Sequence, residues 1–249
     1  MPDLRAHCPH AAATAIELTL AEAESHHLVT VHRARAGDPV TAFDGRGREW
    51  TCTVATPDRR AAVLRVAATR LAPPLPCVLT LAQAIPKGGV MEDIVRQATE
   101  LGAAAVIPVL TARTEVHLDG ERAGRKGGKW LQTAIEAAKQ CGNPFVPAVA
   151  APLPLADLLA APPAAELNLI ASLHPGARPL RAALADFRAT HGRPPQSALW
   201  LVGPEGDFTP EEMAVATAAG FVPVTLGPLV LRCVTAATFA LGILRHETG

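Results

Sequence analysis

Several short sequence signatures are absent from the 249-residue chain, and each absence excludes a class of protein. Neither Gly-x-Gly-x-x-Gly nor Gly-x-x-x-x-Gly-Lys-Ser/Thr occurs, which disfavours an ordinary dinucleotide-binding enzyme and a phosphate-cradling loop. Gly-x-Ser-x-Gly is missing as well, and none of the nine histidines forms a His-x-x-x-His pair. The sequence therefore predicts neither the nucleophile elbow of a hydrolase nor the zinc-binding helix of a metallopeptidase.

The cysteines give no sign of a disulfide framework or a metal site. There are five of them, an odd number, and no two form Cys-x-x-Cys, so we interpret them as reduced thiols. The stretch His-Cys-Pro-His at residues 7–10 contains metal-binding residue types. Four consecutive residues cannot form a tetrahedral site alone, so we predict no metal.

Charge and hydropathy place the chain among ordinary globular proteins. The formal net charge is zero, which excludes a generic polyanion binder. Apolar stretches are interrupted before they reach the length of a membrane span, and the first twenty residues lack the pattern of a signal peptide. We therefore expect no membrane association and a cytoplasmic location.

Basic residues are nevertheless concentrated in two segments. Between His26 and Arg70 there are eight arginines against four acids, and residues 122–130, "RAGRKGGKW", form a second cluster that reads as a glycine-rich loop. A single cluster of this kind is usually a solvated surface, but two clusters in a neutral protein favour a nucleic-acid contact. The predicted RNA-binding side chains are Arg33, Arg35, Arg46, Arg48, Lys87, Arg113, Arg125, Lys126 and Lys129.

A proline-rich connector at residues 70–77, "RLAPPLPC", separates two parts of different character. Before it, short alternating runs and the Asp44-Gly45 turn signal predict a small β-rich module. After it, strand-like and helical segments alternate, which predicts an α/β domain with a parallel sheet covered on both faces. We place the two domains at residues 1–72 and 76–249.

Two glycine-proline loops near the C-terminus mark the candidate binding site. Residues 199–202 form an apolar strand that leads into Gly203-Pro204-Glu205-Gly206, and Gly227-Pro228 precedes an apolar helix. Thr209, Pro210 and Glu212 have the pattern of a helix start, so the first loop is fixed at its far end. Open parallel sheets bind ligands at the carboxyl ends of their strands, where glycines let a ligand lie against peptide groups.

Seven segments carry a resemblance to a known family: residues 26–50, 84–88, 97–103, 111–116, 129–147, 201–208 and 226–236. In this order they resemble the RsmE family of SPOUT-class methyltransferases, which modify N3 of a uridine in 16S ribosomal RNA. The resemblance covers nearly the whole chain, because the N-terminal part is similar to the family's PUA-like RNA-binding barrel.

The resemblance implies a trefoil-knotted domain whose knot forms the cleft for S-adenosylmethionine, and a homodimer that acts on ribosomal RNA or the small ribosomal subunit. The adenine would be held by backbone groups of residues 203–206 and 226–231, with residues 171–176 as a third wall. The implied cofactor-binding residues are Leu173, Val202, Gly203, Pro204, Glu205, Gly206, Leu226, Gly227, Leu231 and Arg232.

Methylation of uridine N3 requires removal of a proton or stabilisation of the developing anion. Arg232 is our candidate for that stabilisation or for orienting the methionine part of the cofactor, although it could instead cap backbone carbonyls. Gln140 and Asn143 could read the uracil edge, or cap the end of their helix. Glu205 could be a carboxylate that is simply stabilised near a helix N-terminus, or one that contacts the cofactor or the substrate; we favour the structural interpretation. A covalent mechanism through Cys233 is disfavoured, because N3 transfer needs no covalent intermediate.

Three positions depart from the family pattern. Val234 replaces an acid, Gly89-Val90 replaces a charged pair, and Asp207 replaces a second glycine. Aspartate tolerates a left-handed backbone better than most residues, so we expect the fold to survive. Two alternatives stay open: a SPOUT enzyme for another RNA position or for ribose, and a non-catalytic RNA-binding protein that keeps the cleft.

Overall fold

The computed structural model describes residues 4–116 and 120–248, with side chains left undescribed at residues 120–122. The chain divides into two compact units. The first contains Met1–Pro74 together with Ile135–Val146, and the second contains Leu75–Ala134 and Pro147–Gly249. The cut after Pro74 lies in the proline-rich connector, while the assignment of residues 1–72 and 76–249 to two functional domains stays a prediction.

The first unit is the expected β-rich module. Its five strands form one sheet in the order β1-β3-β4-β5-β2, with β1 parallel to β3 and the other pairs antiparallel. The buried side chains include Trp50, Leu64 and Val40. Its elements are β1 (Leu4–His7), β2 (Glu17–Thr19), α1 (Glu22–His26), a π-helical turn (His27–Val31), β3 (Pro39–Phe43), β4 (Arg48–Thr56) and β5 (Val63–Leu71).

The predicted Asp44-Gly45 turn joins β3 to β4. Asp44 Oδ1 accepts hydrogen bonds from the backbone N–H groups of Arg46 and Arg48 at 2.7 and 3.0 Å, which closes the turn locally. Gly47 has φ +99°, and a Cβ there would lie 2.6 Å from the ring of Phe145. Glycine is therefore required at this position for both backbone and packing reasons.

The second unit is the predicted α/β domain. All pairs in its eight-stranded sheet are parallel, in the order β11-β13-β10-β12-β6-β7-β8, with β9 also paired to β7. The strands are β6 (Val78–Ala84), β7 (Ala105–Leu110), β8 (Ala148–Val149), β9 (Leu153–Pro154), β10 (Leu167–Ala171), β11 (Arg178–Pro179), β12 (Ser197–Val202) and β13 (Val222–Thr225). The helices are α2 (Val90–Glu100), α3 (Gly120–Cys141), α4 (Leu155–Ala160), α5 (Leu180–His191), α6 (Pro210–Ala218) and α7 (Cys233–Thr248). The part of α3 from Ile135 onward belongs to the first unit.

The basic segment at residues 122–130 is helical, so the prediction of a glycine-rich loop is wrong. Helix α3 begins at Gly120 rather than near residue 129. Gly124, Gly127 and Gly128 each cost about 1 kcal/mol relative to alanine, but nothing in their surroundings requires a glycine. The helix continues into a stripe with buried Trp130 and Ala134, and this packing outweighs the low local propensity.

The predicted helix start after the loop at residues 203–206 is confirmed. Thr209 and Glu212 form a reciprocal capping box at the start of α6, with Pro210 at the first helical position. Gly102 follows α2 with φ +72°, which ends that helix in a left-handed residue. In the part of the chain that the structure describes, no helix combines the length and the apolar character needed to cross a bilayer.

Candidate active site

Three neighbouring strands of the parallel sheet end beside each other and give rise to the loops of the site. Strands β13, β10 and β12 are consecutive in the sheet order. Their carboxyl ends lead into residues 226–232, 172–177 and 203–209. Both glycine-proline loops and the predicted third wall therefore leave the same edge of the sheet, where parallel α/β sheets bind their ligands.

These loops line a cleft whose empty volume of about 550 Å³ includes space that is open to solvent. Eight of the ten predicted cofactor residues line it: Leu173, Val202, Gly203, Pro204, Glu205, Leu226, Gly227 and Leu231. The lining is completed by seven residues that were not among the ten predicted cofactor-binding residues: Ala171, Ser172, Asp207, Leu229, Val230, Cys233 and Ala236. All seven lie in or next to the predicted loops, so their positions in the chain were the available signal.

The loop after β13 has a backbone that only glycine adopts easily. Gly227 has φ +127°, and a Cβ there would meet no atom within 4 Å, so conformation rather than space selects glycine. The Gly227 N–H donates to Thr225 Oγ1 at 3.2 Å, and the same hydroxyl donates to the Gly227 carbonyl at 3.0 Å. The threonine thus fixes the start of the loop that forms one wall of the cleft.

Two side chains hold the loop after β12 from behind. The buried Gln83 amide donates to the Ala84 carbonyl at 2.8 Å and to the Gly203 carbonyl at 3.3 Å. Arg113 donates to the Gly206 carbonyl at 2.5 Å, and its methylenes pack against Gly206. Gly206 is absent from the cleft lining, so its described role is to accommodate Arg113.

Asp207 links this loop to the third wall. It has φ +59°, which confirms that aspartate takes the left-handed conformation at the position of the family's second glycine. Its Oδ2 accepts the Leu173 N–H at 3.4 Å and lies 3.7 Å from His174 Nε2. His174 is in turn held by the Phe208 carbonyl at 3.1 Å. The side chain that replaces glycine therefore fastens two walls of the cleft together.

A second cavity, with about 1,010 Å³ of empty volume, adjoins the cleft. Glu205, Val230, Leu231 and Cys233 line both spaces. Arg232 lines only the second cavity, together with Asp93 and with Val90 and Val234, the two apolar residues at positions where the family has charges. The guanidinium predicted to act in catalysis therefore faces a space next to the cleft rather than the cleft itself.

The surroundings of Glu205 and Cys233 bear on the roles considered for these two side chains. Glu205 Oε1 accepts the backbone N–H of Lys87 at 3.0 Å, so a contact from a distant loop, and not a helix N-terminus, holds this carboxylate. Burial raises the pKa of the Cys233 thiol to about 11, with the nearby Glu205 charge adding to the effect. A thiolate mechanism through Cys233 is therefore disfavoured by its surroundings.

Gln140 and Asn143 belong to the first compact unit, whereas Arg232 belongs to the second. Exposed Gln140 lines a separate cavity of the first unit with His27, Glu136 and Lys139 among its neighbours. Asn143 Oδ1 accepts a hydrogen bond from the backbone N–H of Phe145 at 2.9 Å, just after the end of α3. This contact favours the second of the two predicted roles of Asn143, capping of the helix end. Their role in reading a base stays a prediction.

The cavity of the first unit contains a buried lysine. Lys139 Nζ lies 3.0 Å from Glu24 Oε1, 2.8 Å from Glu136 Oε1 and 2.9 Å from His27 Nδ1. Its side chain is 7% exposed, so these partners replace water around the ammonium group. Burial, followed by the Lys139 charge, lowers the pKa of His27. The cluster is a compact ionic network that the sequence did not reveal.

The predicted RNA-binding side chains lie on both units. In the first unit Arg33, Arg35 and Arg46 are exposed and Arg48 is half-buried; in the second, Lys87, Arg113, Arg125 and Lys129 are exposed and Lys126 is half-buried. Lys87 pairs with Glu115 at 2.7 Å and Lys129 with Glu92 at 2.8 Å. Both ion pairs are solvent-exposed and therefore weak, so they leave these lysines able to exchange partners. The side chain of Arg122, in the same predicted cluster, lies outside the described residues.

Comparison with known proteins is consistent with this architecture. The RNA methyltransferase domain matches residues 73–245, and the RNA methyltransferase PUA domain matches residues 20–67. Over 228 residues the chain is 36% identical to the ribosomal RNA small subunit methyltransferase E of Synechocystis sp., covering 90% of this chain and 71% of the relative. The corresponding protein of Bacillus subtilis is 31% identical, with 90% and 88% covered.

Two solved structures extend the similarity to three dimensions. A ribosomal RNA small subunit methyltransferase E from Neisseria gonorrhoeae, bound to S-adenosyl methionine, superposes with a TM-score of 0.86 at 27% identity, covering 98% of this chain and 97% of that one. A Legionella pneumophila protein in complex with the cofactor SAM gives 0.88 at 31% identity, with 99% and 98% covered. The family resemblance is thus confirmed, and the chain belongs to the ribosomal RNA small subunit methyltransferase E family of RNA methyltransferases.

Proposed function

We propose that the protein transfers the methyl group of S-adenosylmethionine to N3 of a uridine in 16S ribosomal RNA of the small subunit. The observation that carries the proposal is the cleft formed by three loops at adjacent strand ends, in a chain whose relative from Neisseria gonorrhoeae is bound to S-adenosyl methionine. We also propose a cytoplasmic location, which a ribosomal RNA substrate supports.

The residues of the cleft suit the cofactor. Backbone groups of residues 203–206 and 226–231 would hold the adenine, and residues 171–176 would close the third side. The apolar side chains Leu173, Val202 and Leu231 offer surface to the ring, because an aromatic base buries well against aliphatic groups. When bound, S-adenosylmethionine supplies an electrophilic methyl group.

Arg232 has the chemistry to act on the target base. N3 of uracil is protonated at neutral pH, so a negative charge develops on the ring as the proton leaves. A guanidinium stabilises such a charge and remains protonated throughout. The location of Arg232 in the cavity beside the cleft supports this role over cofactor binding. Gln140 and Asn143 are the proposed readers of the uracil edge.

We also propose the trefoil knot and the homodimer that the family resemblance implies. Helix α7 packs against α2, β6 and β12, and the loop before it lines the cleft together with the loop after β12. This arrangement is compatible with a C-terminal segment threaded through the 203–209 region. Exposed Leu229, Val230 and Phe239 offer apolar surface beside the cleft and on α7 for a second copy of the chain.

RNA binding is assigned to both proposed domains, residues 1–72 and 76–249. The match of residues 20–67 to an RNA methyltransferase PUA domain supports the first assignment. Exposed Arg33, Arg35 and Arg46 provide its positive charge, and Lys87, Arg125 and Lys129 provide charge on the second domain. Phosphate contacts of this kind position a substrate without reading its sequence.

The test is mass spectrometry of digested ribosomal RNA. A strain lacking the gene should lack one N3-methyluridine in 16S ribosomal RNA, and the wild-type gene should restore it. Loss of a methyl group from ribose or from another base would overturn the assignment of the atom. A purified protein that gives neither heat nor thermal stabilisation with saturating S-adenosylmethionine would instead be a non-catalytic RNA-binding protein.

A further inference from the structure

Glu205 lies where the cofactor cleft meets the second cavity. It lines the cleft with the two glycine-proline loops, and it lines the second cavity with Arg232. No carboxylate other than Glu205 lines both of these described spaces. A group that must act on the target base at the point of methyl transfer belongs at this boundary.

The chemistry of an imide nitrogen defines what such a group must do. The N3–H bond of uracil lies in the ring plane, and the electron pair that attacks the methyl carbon lies along the same direction. The proton must therefore leave N3 before the methyl carbon can approach. A guanidinium such as that of Arg232 stabilises the resulting anion but cannot accept the proton, because it is already fully protonated.

Two other groups of the second cavity are poorer acceptors than Glu205. The thiol of Cys233 stays protonated, because burial raises its pKa to about 11. Asp93 lines only the second cavity, and its Oδ1 accepts a hydrogen bond from Arg96 at 2.7 Å in an ion pair. That carboxylate oxygen therefore already has a partner, and Asp93 does not reach the cleft.

Glu205 accepts a described hydrogen bond and lies close enough to the Lys87 ammonium group for the two charges to interact. Its Oε1 accepts the backbone N–H of Lys87, while the Lys87 ammonium group pairs with Glu115 at 2.7 Å. This hydrogen bond fixes the direction of the carboxylate. The loop at residues 85–89 therefore acts as a support for this side chain.

We propose that Glu205 is the proton acceptor of the methyl transfer. In this step, which rests on the proposed function, the N3–H bond breaks and a Glu205 carboxylate oxygen takes the proton. The N3 electron pair then forms the bond to the methyl carbon, and the electron pair of the broken carbon–sulfur bond stays on the cofactor sulfur. The exposed carboxyl group releases its proton to water afterwards.

Glu205→Gln tests the proposal, because glutamine keeps the shape of the side chain and its acceptor oxygen for the Lys87 N–H. We expect single-turnover methyl transfer at neutral pH to fall on the order of 100- to 10,000-fold, the usual contribution of a general base. Methyl transfer by the variant should depend on spontaneous ionisation of uracil N3. At pH values below the pKa of N3, the rate should therefore rise roughly tenfold for each pH unit. RNA containing 5-fluorouridine, whose N3 is more acidic, should rescue the variant more than the wild type.

Affinity for S-adenosylmethionine, measured by calorimetry, should change by less than about threefold in Glu205→Gln. Glu211→Gln is the matched control, since it makes the same chemical change on exposed α6, outside both cavities, and should keep the wild-type pH profile.

The assignment would be overturned if Glu205→Gln showed the wild-type pH dependence of methyl transfer, or if it lost much of its affinity for S-adenosylmethionine. It would also be overturned if Asp93→Asn, and not Glu205→Gln, were the variant whose methyl transfer recovers at alkaline pH. A wild-type product other than N3-methyluridine would overturn the proposed function itself.

Discussion

Substitution of Gly227 tests whether the backbone of the loop after β13 forms the cofactor site. Gly227 has φ +127°, and a Cβ at this position meets no atom within 4 Å. Gly227→Ala therefore adds conformational strain without a steric clash. Residues held in such sparsely populated regions cost about 1–3 kcal/mol. The strain must appear in the stability of the folded protein, in its affinity for S-adenosylmethionine, or divided between the two.

The size of each effect follows from that range. If the loop relaxes in the free protein and must be restored on binding, the dissociation constant should rise roughly 5- to 150-fold, since about 1.4 kcal/mol corresponds to tenfold. If the loop keeps its shape, the melting temperature should fall by about 2–12 °C, at about 2–4 °C for each kcal/mol. Calorimetric titration and thermal unfolding of the same preparation measure both quantities.

Gly242→Ala is the matched control. Gly242 lies inside α7, has no left-handed backbone and also has open space around its Cα. Alanine there should stabilise the helix by about 0.5–1 kcal/mol and leave cofactor affinity unchanged. If Gly227→Ala bound the cofactor within twofold of wild type and melted at the wild-type temperature, the backbone argument for this loop would be refuted.

Three further predictions concern RNA binding and stability. Replacing Arg33 and Arg35 with glutamine should weaken RNA binding and lower the slope of log K against log salt by about 2, one for each phosphate contact; an unchanged slope removes both from the interface. Thr209→Ala should cost about 1 kcal/mol and lower the melting temperature by about 2–4 °C, because the capping box is lost. His27 has a folded-state pKa below its ordinary 6.5, so stability should fall as pH drops from 6.5 through the folded pKa. His27→Gln should flatten that part of the curve in pH-dependent thermal unfolding, and an identical curve would contradict the assignment.

The loops of the site were predictable because their signals are local. An apolar run followed by glycine and proline indicates a strand end wherever it occurs, and the Thr209 capping pattern fixes where the next helix begins. Parallel strands then place their carboxyl ends at one edge of the sheet. These local rules were sufficient to bring eight of the ten predicted cofactor residues around one cleft. Their binding of the cofactor itself stays a prediction.

The helix propensity of individual residues gave a wrong prediction where tertiary packing determines the secondary structure. Three glycines between Gly124 and Gly128 favour a loop, yet the segment is helical because it continues into a helix with a buried face. The same limit applies to Lys139, whose carboxylate partner Glu24 lies 115 positions away in the chain. No pattern within a short window indicates that a lysine on an amphipathic helix will be buried and neutralised.

Glu205 shows why the chemistry of a site is harder to predict than its location. Its place before a capped helix favoured a structural carboxylate stabilised by the helix dipole. The structure instead gives it a partner 118 positions earlier, the Lys87 N–H, and a place on the wall of two cavities. Both features depend on residues that are far apart in the sequence, so the sequence around Glu205 does not indicate them. What matters for the chemistry is which groups the Glu205 carboxylate faces. A carboxylate that accepts a backbone N–H and lines both cavities is the proposed proton acceptor, and the Glu205→Gln experiment tests that proposal.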